Sequence, residues 1–87
     1  MTVQGFQDFI RQRYFDTDSK RGTPATFMWL VEEVGELATA LSGDDQANKE
    51  EEFADVFAWL CTLANINDVN LEKALEKYTV NCPEGHK

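Results

Sequence analysis

The chain has 87 residues, and 43% of them are hydrophobic, including two Trp and six Phe. That length predicts one small domain, residues 1–87, which buries only a modest share of its surface, so the apolar load predicts a surface for self-association. The net charge of −8 argues against nucleic-acid and anionic-membrane partners, which need basic patches, and suits a protein whose charge is partly cancelled by bound cations.

No segment approaches the roughly 20 apolar residues of a membrane span. The N-terminus, MTVQGFQDFIRQRYF, lacks a signal-peptide layout, so a cytoplasmic location is expected. Cys61, inside a predicted helix, and Cys82, in the tail, then read as reduced thiols. There is no CxxC zinc pattern, and His86 reads as a tail residue rather than a ligand.

Val3, Phe6, Phe9, Ile10 and Tyr14 form a stripe that predicts a first helix over residues 3–15. The polar run DTDSKRG, residues 16–22, reads as a loop. A second helix is expected to start at Thr23, as N-cap, with Pro24 at the first helical position. Its stripe is Phe27, Leu30, Val31, Val34, Leu37, Ala38 and Leu41, and Gly43 is a natural stop. A third helix should begin near Asp45–Asn48, with Asn48 and Glu51 as a variant capping box. Its stripe is Phe53, Val56, Phe57, Leu60, Leu63 and Ala64, closed by NINDVN, residues 65–70. A short C-terminal helix over 70–80 opens with Asn70 as cap and carries Leu71, Ala74, Leu75 and Tyr78; Pro83 forbids a long continuation. No strand-type alternation occurs, so the expected class is all-α, built on a helical hairpin over 24–66.

Two acid pairs interrupt the apolar stripes: Glu33 and Glu36 in VEEVGEL, and Glu52 and Asp55 in EEEFADV. Side chains three and four apart share a helix face. Trp29, Glu33, Glu36 and Ala40 therefore form one stripe, and Glu52, Asp55, Trp59 and Thr62 form another. A hairpin centred near Asp44 sets Glu36 opposite Glu52, Glu33 opposite Asp55, and the two tryptophans at one level. No Lys or Arg lies between Arg21 and Lys49, or between Lys49 and Lys73; only Lys49 is placed to reach Glu52. Gathering unpartnered carboxylates costs several kcal/mol. Either some protonate or a cation sits among them. Hard oxygen donors without His or Cys favour Mg²⁺ or Mn²⁺, with Ca²⁺ as an option. No Glu-x-x-His pair or DxDxDG loop is present to support a di-iron site or a calcium hand. Acid-rich helices are common, however, and spacing alone leaves a metal cluster and a solvated face both open. Glu32, Glu50 and Glu51 read as solvated face residues.

The two motifs resemble those of the MazG family of all-α nucleotide pyrophosphohydrolases, whose pattern is E-x-x-E, a gap, then E-x-x-D. Here Glu33, Glu36, Glu52 and Asp55 meet it within EEVGEL and EEFADV, and the likeness runs from Thr23 to about Asn81. The resemblance implies that these four acids hold Mg²⁺ and support hydrolysis of a nucleoside triphosphate, by attack at the α-phosphorus, to the monophosphate and pyrophosphate. It implies a homodimer, or a homotetramer, whose paired hairpins form a four-helix-type bundle. Lys77 and Asn81 match a K-x-x-x-N element that holds phosphate or sugar in many members; the alternative is a surface lysine and a helix cap. Lys20 and Arg21 are either phosphate contacts or solvated charges. Trp29 and Trp59 either border the base or serve as core or dimer contacts. Two rival functions share this pattern: a phosphoribosyl-ATP pyrophosphohydrolase-like enzyme, and a non-catalytic helical dimerisation or regulatory module. There is no GxxxxGK loop, so a P-loop mechanism is not expected.

Overall fold

The computed structural model describes residues 1–80. Asn81, Cys82, Pro83 and His86 lie outside the described residues. Three long helices dominate: α1 (Val3–Arg21), α2 (Thr23–Leu41) and α3 (Gln46–Ile66). Two short turns of helix follow, α4 (Leu71–Ala74) and α5 (Glu76–Thr79), where one short helix was expected. There is no strand among the described residues, as the all-α expectation requires. No helix among them is long and apolar enough to cross a membrane.

The segment expected as a loop, residues 16–22, is helical up to Arg21. Its polar look hides a continuing stripe: Ile10, Tyr14 and Asp18 recur every four residues. Asp18 is buried because Arg21, one turn on, neutralises it at 3.0 Å. Gly22 alone separates α1 from α2. Its N–H donates to the Asp18 carbonyl, and its own carbonyl accepts from the Thr26 N–H. Its φ of 82° is costly for any residue with a Cβ. Gly22, not Thr23, is thus the N-cap of α2, and Pro24 falls in the first turn, where a missing N–H leaves nothing unpaired.

α2 and α3 form the expected hairpin, and α1 packs mainly along α3. Asp45, rather than Asn48, caps α3: its Oδ1 accepts from the Asn48 N–H at 3.1 Å. At the other end Asp68 takes φ 56°. The Val69 N–H reaches back to the Ala64 carbonyl at 2.9 Å, closing a Schellman-type stop. Asn70 caps α4 as expected, accepting from the Lys73 N–H.

A polar latch joins α1 to this corner. Buried Gln7 donates to Asn65 Oδ1 at 3.0 Å and to the Val69 carbonyl at 2.7 Å. Its Oε1 accepts from the Leu71 N–H at 2.9 Å, and Asn65 donates back to the Gln7 carbonyl.

The apolar stripe of α2 does not face the hairpin. Leu30 is buried, but Phe27, Val31, Val34 and Leu41 are about half exposed. Ala40, of the acid stripe, and Thr26, one turn before Trp29, are buried instead. On α3, Phe53, Phe57 and Leu60 are also exposed, while Glu52 and Thr62 are buried. Parts of the acid stripes, Ala40, Glu52 and Thr62 above all, therefore lie inside the hairpin, and much of the apolar surface is exposed. The Cα radius of gyration is 14.4 Å, against about 12 Å for a compact chain of this length.

Candidate metal and nucleotide site

The hairpin register brings the acid pairs together. Trp29 and Trp59 stack with ring centroids 6.1 Å apart, at the common level their symmetry about Asp44 predicts. One turn nearer the hairpin loop, one carboxylate oxygen each from Glu33, Glu36 and Glu52 lie within 4.8 Å of one another. Oxygens of Glu51, Glu52 and Asp55 form a second such group. Glu52 belongs to both groups.

Glu51 reads as a solvated face residue and is exposed, and its carboxylate also comes within reach of Glu52 and Asp55.

The electrostatics follow from burial and like charge. Glu52 is 9% exposed, and Glu33 is half-buried. Desolvation first, then the hydrogen bond and charge of Glu36 and the charges of Asp55 and Glu52, push Glu33 up to about 7. Glu52 is raised by desolvation and by Glu36, Asp55 and Glu51. No ion pair joins Lys49, or any other cation, to these acids among the described residues; the single ion pair there is Asp18–Arg21.

Two carboxylate oxygens in the cluster, Glu33 Oε2 and Glu52 Oε2, are buried and take no hydrogen bond. A buried anionic oxygen without a partner is expensive. The donor set is wholly carboxylate, which matches a hard divalent cation rather than zinc or copper. The residues present therefore fit a metal.

The other predicted site residues are scattered. Arg21 turns inward, with its guanidinium 4.9 Å over the Trp59 ring. Lys20 is exposed. Lys77 lies on α5, its ammonium 5.3 Å over the Tyr78 ring. Among the described residues no ion pair ties Lys20 or Lys77 to the acids. Asn81 lies outside the described residues.

Fold and site together define a class: an all-α protein whose central hairpin gathers carboxylates on its inner face. Residues 22–86 match the family model of the MazG nucleotide pyrophosphohydrolase domain, which spans most of the chain and contains both acid pairs. The chain belongs to the MazG family. No curated protein matches it.

Proposed function

We propose that this protein is a Mg²⁺-dependent nucleoside-triphosphate pyrophosphohydrolase that converts NTP or dNTP to the monophosphate and pyrophosphate. The observation that carries this reading is the carboxylate cluster with its buried, unpartnered oxygens, set in a MazG chain. Glu33, Glu36, Glu52 and Asp55 are the metal ligands in this reading. Magnesium, with manganese as an alternative, supplies charge compensation for the phosphates and lowers the pKa of water.

The chain's own residues do the rest. In this reading the quartet is where the triphosphate sits; the grouping of Glu33, Glu36 and Glu52, and of Glu52 and Asp55, across two facing helices supports it. Water attacks phosphorus, the α–β anhydride bond breaks, and pyrophosphate leaves with the bonding electron pair. A carboxylate of the cluster takes the proton of the attacking water. Trp29 and Trp59 close the end of the site away from the hairpin loop. Lys20, Arg21, Lys77 and Asn81 are proposed contacts to phosphate or sugar. The reading places the enzyme in the cytoplasm, clearing non-standard or excess nucleotides.

We also infer a homodimer. The outward apolar residues of α2 and α3 support it.

A Glu36→Gln variant tests the site. Incubated with Mg²⁺ and a panel of triphosphates, wild type should release pyrophosphate, and the variant should release none while its helical circular dichroism is unchanged. Retained turnover removes Glu36 from the site.

A further inference from the structure

The acid stripe of α3 continues from Glu52 and Asp55 to Trp59, and at Trp59 it meets a cation. The Arg21 guanidinium lies 4.9 Å over the Trp59 ring. Trp59 follows Asp55 by four residues, about 6 Å along the helix axis. Trp29, stacked on Trp59, precedes Glu33 by the same interval. A fixed positive charge thus stands about one helical turn from acids that have no basic partner of their own among the described residues.

Arg21 nevertheless pairs with none of those acids. Its Nη1 donates to Asp18 Oδ1 at 3.0 Å, one turn back on α1. A guanidinium on a long, flexible stem is drawn strongly to clustered carboxylates at this range. The depth of Asp18 holds it back. Asp18 is 4% exposed, and its Oδ2 takes no hydrogen bond. Arg21 is therefore the one side chain that compensates its charge among the described residues. Releasing Arg21 would leave a buried carboxylate without a counter-charge, which is the costly way to break an ion pair.

We propose that Asp18 is a positioning residue: it holds the Arg21 guanidinium over Trp59, off the metal-binding acids and where the phosphates of the substrate meet it. This rests on the pyrophosphohydrolase reading above and adds a residue that touches neither metal nor nucleotide. The pairing does two things. A guanidinium that swung onto the acids would occupy the carboxylate oxygens that a metal needs, because arginine binds carboxylates in a two-point fork. Held over Trp59, it keeps the N–H donors that Asp18 does not use, and these suit a phosphate equally well. Asp18 thereby keeps two positive charges apart, the metal on the carboxylates and the guanidinium on the phosphates.

The test combines Mg²⁺ titration by calorimetry, without nucleotide, with KM and kcat for a triphosphate that wild type turns over. It uses Asp18→Asn, Arg21→Ala and the double variant. Asp18→Asn keeps the shape and removes the charge. It should weaken Mg²⁺ binding severalfold and raise KM about tenfold, the worth of one hydrogen bond to a charged group, with a smaller effect on kcat. Arg21→Ala should raise KM as much, yet bind Mg²⁺ no more weakly than wild type. The double variant should bind Mg²⁺ as Arg21→Ala does, because no guanidinium is left to stray. A double variant as weak for Mg²⁺ as Asp18→Asn overturns the proposal, since Asp18 then acts by its own charge. So does a folded Asp18→Asn with wild-type Mg²⁺ affinity and KM, which makes the pair purely structural. Should Asp18→Asn not fold, arginine side-chain NMR of wild type decides. The Arg21 guanidinium signals should shift when a triphosphate with a methylene bridge between its α- and β-phosphorus binds with Mg²⁺, and no shift at saturation overturns the proposal. If either overturning result appears while wild type still cuts triphosphates, this inference fails and the parent reading stands. If wild type cuts none, both fail.

Discussion

Glu33 shows most clearly what the cluster does to a single side chain. Its carboxyl is raised from 4.5 to about 7 by desolvation and by its acidic neighbours. Without metal, the folded state then holds a proton that the unfolded chain releases near pH 4.5. Between those two values the folded state binds more protons, so stability falls as pH rises. The contribution is fully present below about pH 4.5 and lost by about pH 7. Thermal melts in EDTA should therefore show a midpoint that declines from pH 5 to pH 8. Saturating Mg²⁺ should raise the midpoint most at pH 8, because ligands must be deprotonated to bind. A metal-induced shift that is the same at both pH values would contradict this picture of Glu33.

At this scale the sequence was readable where spacing and context agreed. Glu33, Glu36, Glu52 and Asp55 stood out because no basic residue lies within helical reach of most of them. Asp18 was not readable. DTDSKRG looks like a loop, and only the pairing with Arg21 explains a buried acid there.

At the scale of elements, composition located helices well and their ends less well. The hairpin register held, because the tryptophans and acids are symmetric about Asp44 and the Ser42-Gly43-Asp44 turn is short. The caps were less legible. Asp45 and Asn48 are both good capping residues three apart, and the structure selects Asp45. Asp45→Ala should cost about 1 kcal/mol and lower the melting temperature by roughly 4–8 °C in a domain of this size. A melt unchanged within a degree would mean that the cap is not formed in solution. The Gln7 latch was also unseen, since a glutamine inside an apolar stripe looks like a break in it. Gln7→Ala strands the Leu71 N–H and one acceptor on Asn65. It should destabilise by about 1–3 kcal/mol, measurable by urea denaturation.

For the whole molecule, the inside-out packing of the hairpin is the main departure from expectation. The α2 stripe from Phe27 to Leu41 looks like core, yet most of it is about half exposed, while Glu52 on α3 is buried and Glu33 and Asp55 are half-buried. Hydrophobic periodicity reports that a face is buried somewhere; it does not say whether the cover is the same chain. The large apolar share in a short chain is what leads to the homodimer proposed above. Val31→Asp with Val34→Asp should convert a sedimenting species of twice the chain mass into one of the chain mass. A wild-type protein that sediments at the chain mass at high micromolar concentration would refute the homodimer.

The central claim is that the carboxylate cluster of this MazG chain cuts triphosphates between the α- and β-phosphates with Mg²⁺. Phosphorus NMR of the products from a panel of NTPs and dNTPs tests it most directly. The account predicts monophosphate and pyrophosphate in equal amounts for at least one nucleotide, with none formed in EDTA. Orthophosphate without pyrophosphate, or no turnover of any triphosphate with Mg²⁺ or Mn²⁺ present, would contradict it.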